Sequence, residues 1–413
     1  MTDLDALFRA ILDHPDDDTP RLIYADALED VGESDRAALI RAQVELARVP
    51  EYDPLRVRAE RHTPGLISGG PFILQLPQLP DGLRWPPKPF RRGFPAAIHA
   101  PNGAVFAAHA GDLFGRFPIE ELELRVTRSA DLRPLKECEW LGRIVRLTVL
   151  DGLSGPVARP LFGLPNLGRL TELTIGAPLT TAPATRAVIR SKAFGRLSAF
   201  ACHTDRGGGP VIAELTHLVD PPHLTKLDVS SNQMTAERVA RLAAAPVMSD
   251  VEELDLSDNN LGPEGAAAVA AASLPRVRAL RMLRTGPRDE GVRALAASGL
   301  VEGLRSLYLG GNNLGPSAAQ ALAKAAAAEN LRVLDLTDNR LGDDGAIALA
   351  HSPHLRNLIL LDLAGNLVED RGADALAESP HLDGLIYLGL SGSVISPPAE
   401  KRLRDRFGGR VFL

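Results

Sequence analysis

The most regular feature of the chain is a pattern of hydrophobic and polar positions that returns every 25 to 27 residues. It is clearest in Leu331-Arg332-Val333-Leu334-Asp335-Leu336-Thr337-Asp338-Asn339-Arg340-Leu341, an L-x-x-L-x-L-x-x-N-x-L run. Its first position recurs at Ile119, Ile144, Leu170, Leu197, Leu224, Val251, Val277, Leu304, Leu331, Leu358 and Leu385, which makes eleven coils. Leu334 and Leu336 alternate with Val333 and Asp335, the period of a strand with one buried face. Each coil returns the chain in the same direction, so neighbouring strands should pair in parallel. Asn232, Asn259, Asn312, Asn339 and Asn366 follow the strands, where an amide side chain can satisfy the backbone of a tight bend. The second half of each coil reads as helix. Leu242, Val269, Leu295, Leu322, Leu349 and Leu376 each lie 18 residues after an anchor, among alanines. Gly265, Gly291, Gly345 and Gly372 sit near the helix starts, where backbones approach closely. The early coils are worn: Thr127, Gly152, Pro178 and Asp205 stand in place of the Asn, and Gly207-Gly208-Gly209 loosens one connection.

The flanks differ. Residues 1–49 predict three short helices. Leu4, Leu7, Phe8 and Ile11 form the stripe of the first. Thr19-Pro20 reads as cap and first-turn proline of the second, which Gly32 stops. Ser34 caps a third that carries Leu39, Ile40, Val44 and Leu46. Residues 50–93 hold nine prolines and read as a linker or proline-rich wrap. Trp85, Phe90 and Phe94 are expected to pack on the first coil, and Arg91-Arg92 to be a solvated corner. Residues 94–118 predict a capping strand and helix, 119–395 the repeats, and 396–413 a further cap: Ser396, a helix with Leu403 and Phe407, and a last strand at Arg410-Val411-Phe412-Leu413.

The eleven coils, over roughly 70% of the chain, resemble leucine-rich repeats of the ribonuclease-inhibitor type. The resemblance implies an α/β solenoid, a horseshoe with a parallel sheet on its concave face and helices on its convex face. Asp16-Asp17-Asp18-Thr19-Pro20-Arg21-Leu22-Ile23-Tyr24-Ala25-Asp26-Ala27-Leu28-Glu29-Asp30, followed by Arg36, Ile40, Arg41 and Gln43, resembles the "repeat-companion" domain of bacterial repeat proteins. Ala27 stands where that family usually has Trp. This second resemblance implies a companion to a repeat array and no reaction.

Composition narrows the chemistry. Apolar residues make up 45% of the chain and aromatics only 4%, which suits coils that all fill the same narrow slot. Net charge is −6, and residues 1–49 alone carry −7, so the remainder lacks the basic face that nucleic-acid binding needs. Two cysteines, Cys138 and Cys202, cannot make a disulfide framework or a four-ligand zinc site. No basic, apolar leader opens the chain and no long apolar run occurs, so a cytoplasmic protein that does not cross a membrane is expected. The acids from Asp16 to Asp30 precede or open a helix, where they complement its dipole and can pair with Arg21, Arg36 and Arg41; EF-hand spacing is absent. Phosphate-loop, zinc-protease, nucleophile-elbow and C-x-x-C motifs are absent. His354 and His381 repeat with the frame, and two histidines lack the remaining ligands of a metal site. No catalytic, metal or cofactor-binding residue is assigned.

The frame also picks out the residues facing away from the core. Its middle outward column runs Glu123, Thr148, Thr174, Ala201, Asp228, Asp255, Arg281, Tyr308, Asp335, Asp362 and Gly389. L-D-L is a habitual spelling of the repeat, yet an acidic stripe attracts basic partners whatever its origin. Arg281 and Tyr308 interrupt it with the residue types that anchor interfaces. The candidate protein-binding residues are therefore Asp228, Glu253, Asp255, Arg281, Tyr308, Asp335, Asp362 and Tyr387. The expected function is a non-enzymatic binding or scaffold module without cofactor. Its partner would be a protein of basic character, with nucleic acid and membrane excluded. The alternative is a regulator or inhibitor of an enzyme, by fold analogy with ribonuclease inhibitors and Ran-system GTPase-activating proteins. An enzyme would need a site assembled from distant coils and marked by shifted titratable groups.

Overall fold

A computed structural model describes residues 3–50, 52–62, 72, 75–176, 181–203 and 209–413. Pro178, Asp205, Gly207 and Gly208 lie outside the described residues. The chain divides into two compact units, Met1–Pro50 with Arg58–Ala201, and Glu51–Val57 with Cys202–Leu413.

The first unit opens with three helices, α1 (Asp3–Asp13), α2 (Thr19–Asp30) and α3 (Ser34–Leu46). Ile11, Tyr24, Ala25, Leu28, Ala37, Ile40 and Val44 form their core, with Leu4, Leu7 and Phe8 against it. Both predicted caps shift by one residue. Thr19 opens α2 with Asp18 at the cap position, and Ser34 opens α3 behind Glu33. The Thr19 N–H donates to the Asp17 carboxylate at 2.8 Å, a stronger acceptor than a hydroxyl. Four other acids of this stretch are paired: Asp16 with Arg169, Asp18 with Arg48, and Asp26 and Glu29 with Arg41. Arg21 is buried instead and donates to the Asp17 carbonyl.

A hairpin of β1 (Phe90–Arg91) and β2 (Phe94–Pro95) inserts its tip into this helical core. Arg92 and Gly93 both have positive φ, 51° and 86°, as a two-residue turn matching strand twist requires. The Gly93 N–H donates to the Gln43 side chain at 2.8 Å, and a Cβ there would lie 2.6 Å from Ile40 Cα. Phe94 packs at a tilt against Tyr24 and Phe8, with ring centroids 5.6 and 5.9 Å apart. Its expected place on the first coil is therefore corrected: the helices offer a ring-lined slot that shields it fully. Trp85 packs edge-on to Phe117. Arg92 is no solvated corner either, because it pairs with Glu120 at 2.8 Å and Asp18 at 3.5 Å. Glu120 is buried and held from its other side by Arg146.

The parallel strands of the first unit follow in order: β3 (Ala97–Ala100), β4 (Glu121–Leu124), β5 (Arg146–Val149), β6 (Glu172–Ile175) and β7 (Ala199–Cys202), the unit boundary falling at the end of β7. Pairing keeps the frame, with Leu122, Leu147 and Leu173 in one row.

The second unit continues with β8 (Lys226–Asp228), β9 (Glu253–Asp255), β10 (Ala279–Arg281), β11 (Ser306–Tyr308), β12 (Val333–Asp335), β13 (Leu360–Asp362), β14 (Tyr387–Gly389) and β15 (Val411–Phe412), all parallel and neighbouring in sequence order. Inward anchors such as Leu254, Leu280, Leu307, Leu334, Leu361 and Leu388 are buried, as are the helix residues Leu242, Val269, Leu295, Leu322, Leu349 and Leu376. The asparagines form a hydrogen-bonded ladder. Asn312 Oδ1 accepts from the N–H groups of Thr285 and Gly286 at 2.7 and 2.9 Å, while its Nδ2 donates to the carbonyls of Met282 and Leu309. Asn232, Asn259, Asn339 and Asn366 bond in the same manner. The helix Pro397–Phe407 buries Leu403 and Phe407, and the Ser396 hydroxyl at its cap donates to Asp370 rather than serving the helix.

Within the proline-rich stretch the structure holds a fourth helix, α4 (Pro54–His62). Asp53 starts it: its carboxylate accepts the Leu55 N–H at 2.8 Å and its carbonyl accepts the Val57 N–H at 3.0 Å. Proline follows in the first turn, where its missing N–H costs nothing. No helix among the described residues is long and apolar enough to cross a membrane.

Candidate protein-binding face of the second unit

Successive strands are about 4.8 Å apart, so residues in register on the outward side form continuous rows. One row is Asp228, Asp255, Arg281, Tyr308, Asp335, Asp362 and Gly389. A second is Lys226, Glu253, Ala279, Ser306, Val333, Leu360 and Tyr387. All eight predicted residues, Asp228, Glu253, Asp255, Arg281, Tyr308, Asp335, Asp362 and Tyr387, stand in these two rows.

The aspartates serve the fold as well as the face, and Asp362 among them is buried at 3% exposure. Asp228, Asp255, Asp335 and Asp362 each accept the backbone N–H two residues on, from Ser230, Ser257, Thr337 and Ala364 at 2.9, 2.9, 2.9 and 3.2 Å. These bonds close the turn that leaves each strand. Asp335 also accepts the Thr337 hydroxyl. Reversing the charge at Asp255 or Asp335 would therefore break a turn, and the amide substitution is the cleaner probe.

Charge is graded along the row. At Asp255 burial, followed by the neighbouring Asp228 carboxylate, raises the pKa. Burial pushes Asp228 the same way, but hydrogen bonds from His203 and Ser230 outweigh it and hold the carboxyl below its ordinary value. The His203–Asp228 bond, 2.9 Å long, raises the histidine in turn. Lys226 neutralises Glu253 at 2.5 Å. Next along the row, the Arg281 guanidinium lies 4.4 Å from the Tyr308 ring centroid, a cation–π pair spanning two coils. Tyr387 stacks on Phe412 at 4.6 Å. The Cys202 thiol, by contrast, is buried and pushed up to about 12 by that burial, so it is inert as a nucleophile.

The frame had drawn attention to the charged row; the apolar row beside it is the feature it missed. Val333 and Leu360 point outward, yet they are 1% and 3% exposed, and Ile359 beside them is 8% exposed. They are covered by a segment of the chain itself. Val57, 3% exposed, joins them in one cluster, with Tyr52, Tyr308, Ile386 and Tyr387 around its edge. The signal was present in Leu358-Ile359-Leu360-Leu361, an uninterrupted apolar run that implies a strand buried on both faces.

Five segments of the chain, residues 220–237, 247–270, 304–323, 327–350 and 354–377, match the sequence model of the leucine rich repeat. These five segments, all in the second unit, are leucine rich repeats. The chain is 28% identical over 296 residues to a Tonsoku-like protein of Bos taurus, which covers 62% of this chain but 20% of that protein. It thus spans about a fifth of the length of that curated relative. Among solved structures it is similar to an internalin of Listeria monocytogenes, at 17% identity and a TM-score of 0.40 over 69% of this chain and 78% of that one. It is also similar to a chain of the Rad7 and Elc1 complex of yeast, at 14% identity and a TM-score of 0.40 over 97% and 96%.

Proposed function

We propose that the protein is a non-enzymatic binding module that holds a polypeptide partner on the outward sheet face of the second unit. The observation that carries this reading is the apolar row Val333, Leu360 and Tyr387. Those positions look away from the core, where a sheet facing water takes polar residues, and here polypeptide packs on them. A face able to bury one segment of chain has the chemistry to bury another.

The rest of the face supplies selectivity. Asp335 and the acid pair at 228 and 255 favour a partner with basic groups and slow the approach of acidic ones. Arg281 on Tyr308 adds a planar, amphipathic anchor of the type that dominates interface energetics. The proposal includes the ribonuclease-inhibitor-like type, which the coils resemble. It also includes a companion-module reading of the three N-terminal helices, whose Asp18, Arg21, Tyr24, Ile40 and Gln43 lie against the Arg92-Gly93-Phe94 tip. The absence of a reaction is part of the same proposal.

The test is affinity capture from the native lysate with wild-type protein beside the double variant Arg281→Glu, Tyr308→Ala. We expect a protein retained by the wild type and lost from the variant, with retention falling as salt rises. Equal capture by both would overturn the assignment of this face.

A further inference from the structure

Resting on the polypeptide-binding reading above, we propose that Tyr52–Val57 is a resident stand-in for the partner, and that the partner presents a short helix carrying an aromatic, a branched aliphatic and a basic side chain. The argument begins with what the segment covers. Ser306, Val333, Leu360 and Tyr387 are consecutive in one register row, a strip on the order of 15 Å long at normal strand spacing. The segment lays two side chains on it, Val57 at the centre and Tyr52 at the margin.

The segment carries its own helix start. Asp53 and Pro54 begin the helix locally, and packing on the sheet supplies the remaining stability of so short a helix. Arg56 sits beside Val57 in sequence, a cation in a segment that lies on a face whose next row is Asp335 and Asp362. Tyr and Val are thus the side-chain classes that this face takes up, and the Asp335 row beside them complements a basic group, so the class of partner is a short basic amphipathic helix.

The fit is incomplete, as expected of a placeholder. The Ser306 hydroxyl, next to Val333 in the row and fully buried, makes no hydrogen bond among the described residues. Leu55 of the same segment remains exposed. A partner that offers a polar group to Ser306 and a longer apolar stripe binds the same strip with more contacts. Tethering gives the resident segment a high local concentration. It therefore lowers the apparent affinity of any competitor by the fraction of time the face is covered. The face is closed by default and opens only to a ligand that outmatches two anchors.

The probe is a fluorescein-labelled synthetic peptide of residues 50–62, followed by anisotropy against full-length protein. The variant Tyr52→Ala, Val57→Ala should bind it at least tenfold more tightly than wild type, because the competing segment is disabled. A peptide carrying the same two alanines should not bind, and adding Leu360→Ser to the protein should abolish the gain. A milder change, Val333→Thr, gives a second face variant in case Leu360→Ser compromises folding. Equal binding by wild type and strap variant, or binding untouched by both face variants, overturns the proposal. Loss of peptide binding with lysate capture intact would remove the stand-in alone. Peptide binding with no lysate protein ever captured would remove the scaffold reading and leave the self-contact standing.

Discussion

The asparagine ladder shows how one residue type fixes a turn. Each amide answers backbone groups that no strand partner reaches, and it does so in a buried place where an unmet donor or acceptor costs about 1–3 kcal/mol. Asn312 satisfies two N–H groups with Oδ1 and two carbonyls with Nδ2. Asn312→Ala should lower the unfolding free energy of the second unit by about 3 kcal/mol, read from urea denaturation. Asn312→Asp, which keeps the acceptor but sets a buried carboxylate oxygen against the Met282 and Leu309 carbonyls, should cost at least as much. A clearly smaller loss for Asn312→Asp would mean that the donor role is unimportant. The ladder was readable because one side chain recurs at one position of the frame. The aspartates were harder: the same Asp that colours the surface also closes its own turn, and spacing cannot separate those roles. Gly93 was harder still. Its need for positive φ and for contact with Ile40 depends on a partner 53 positions earlier in the sequence.

Helices and strands were legible wherever the repeat imposed its period. The anchors at Leu254 to Leu388 and the helix residues from Leu242 to Leu376 are buried where the frame puts them. The frame also explains the helix-start glycines. A Cβ on Gly291 would meet Ala266 Cβ at 2.8 Å and Pro287 Cβ at 2.9 Å, so the helix Arg288–Ala296 lies against its neighbour without room for a methyl group. Gly291→Ala should therefore destabilise by about 1–3 kcal/mol despite alanine's better helix propensity. A gain in melting temperature would show that the helices separate freely. What escaped the frame was α4. Nine prolines across residues 50–93 point to irregular chain, and Leu55, Val57 and Ala59 alternate with arginines in a strand-like period of two. Asp53 before Pro54 was the local start signal, and composition masked it. The outward apolar row was missed for a related reason, since acids and aromatics drew the eye to the row beside it.

At the scale of the molecule, a repeat array distributes stability among neighbours and gives function to a surface rather than a pocket. The second unit holds a graded face. Acids paired with His203 and Lys226 stand on β8 and β9, Arg281 and Tyr308 follow, and a strip that takes apolar chain spans β12 to β14. On the function proposed above, polypeptide binds there. The most direct test places a photo-activatable benzophenone residue at Tyr308, with Arg293 on the helix Arg288–Ala296 as control, and identifies what is captured by irradiation in the native lysate. We predict cross-links from position 308 to residues 52–57 of the same chain and to a second protein, with neither formed from position 293. Cross-links to one set of proteins from both positions, or to none from 308, would contradict the account.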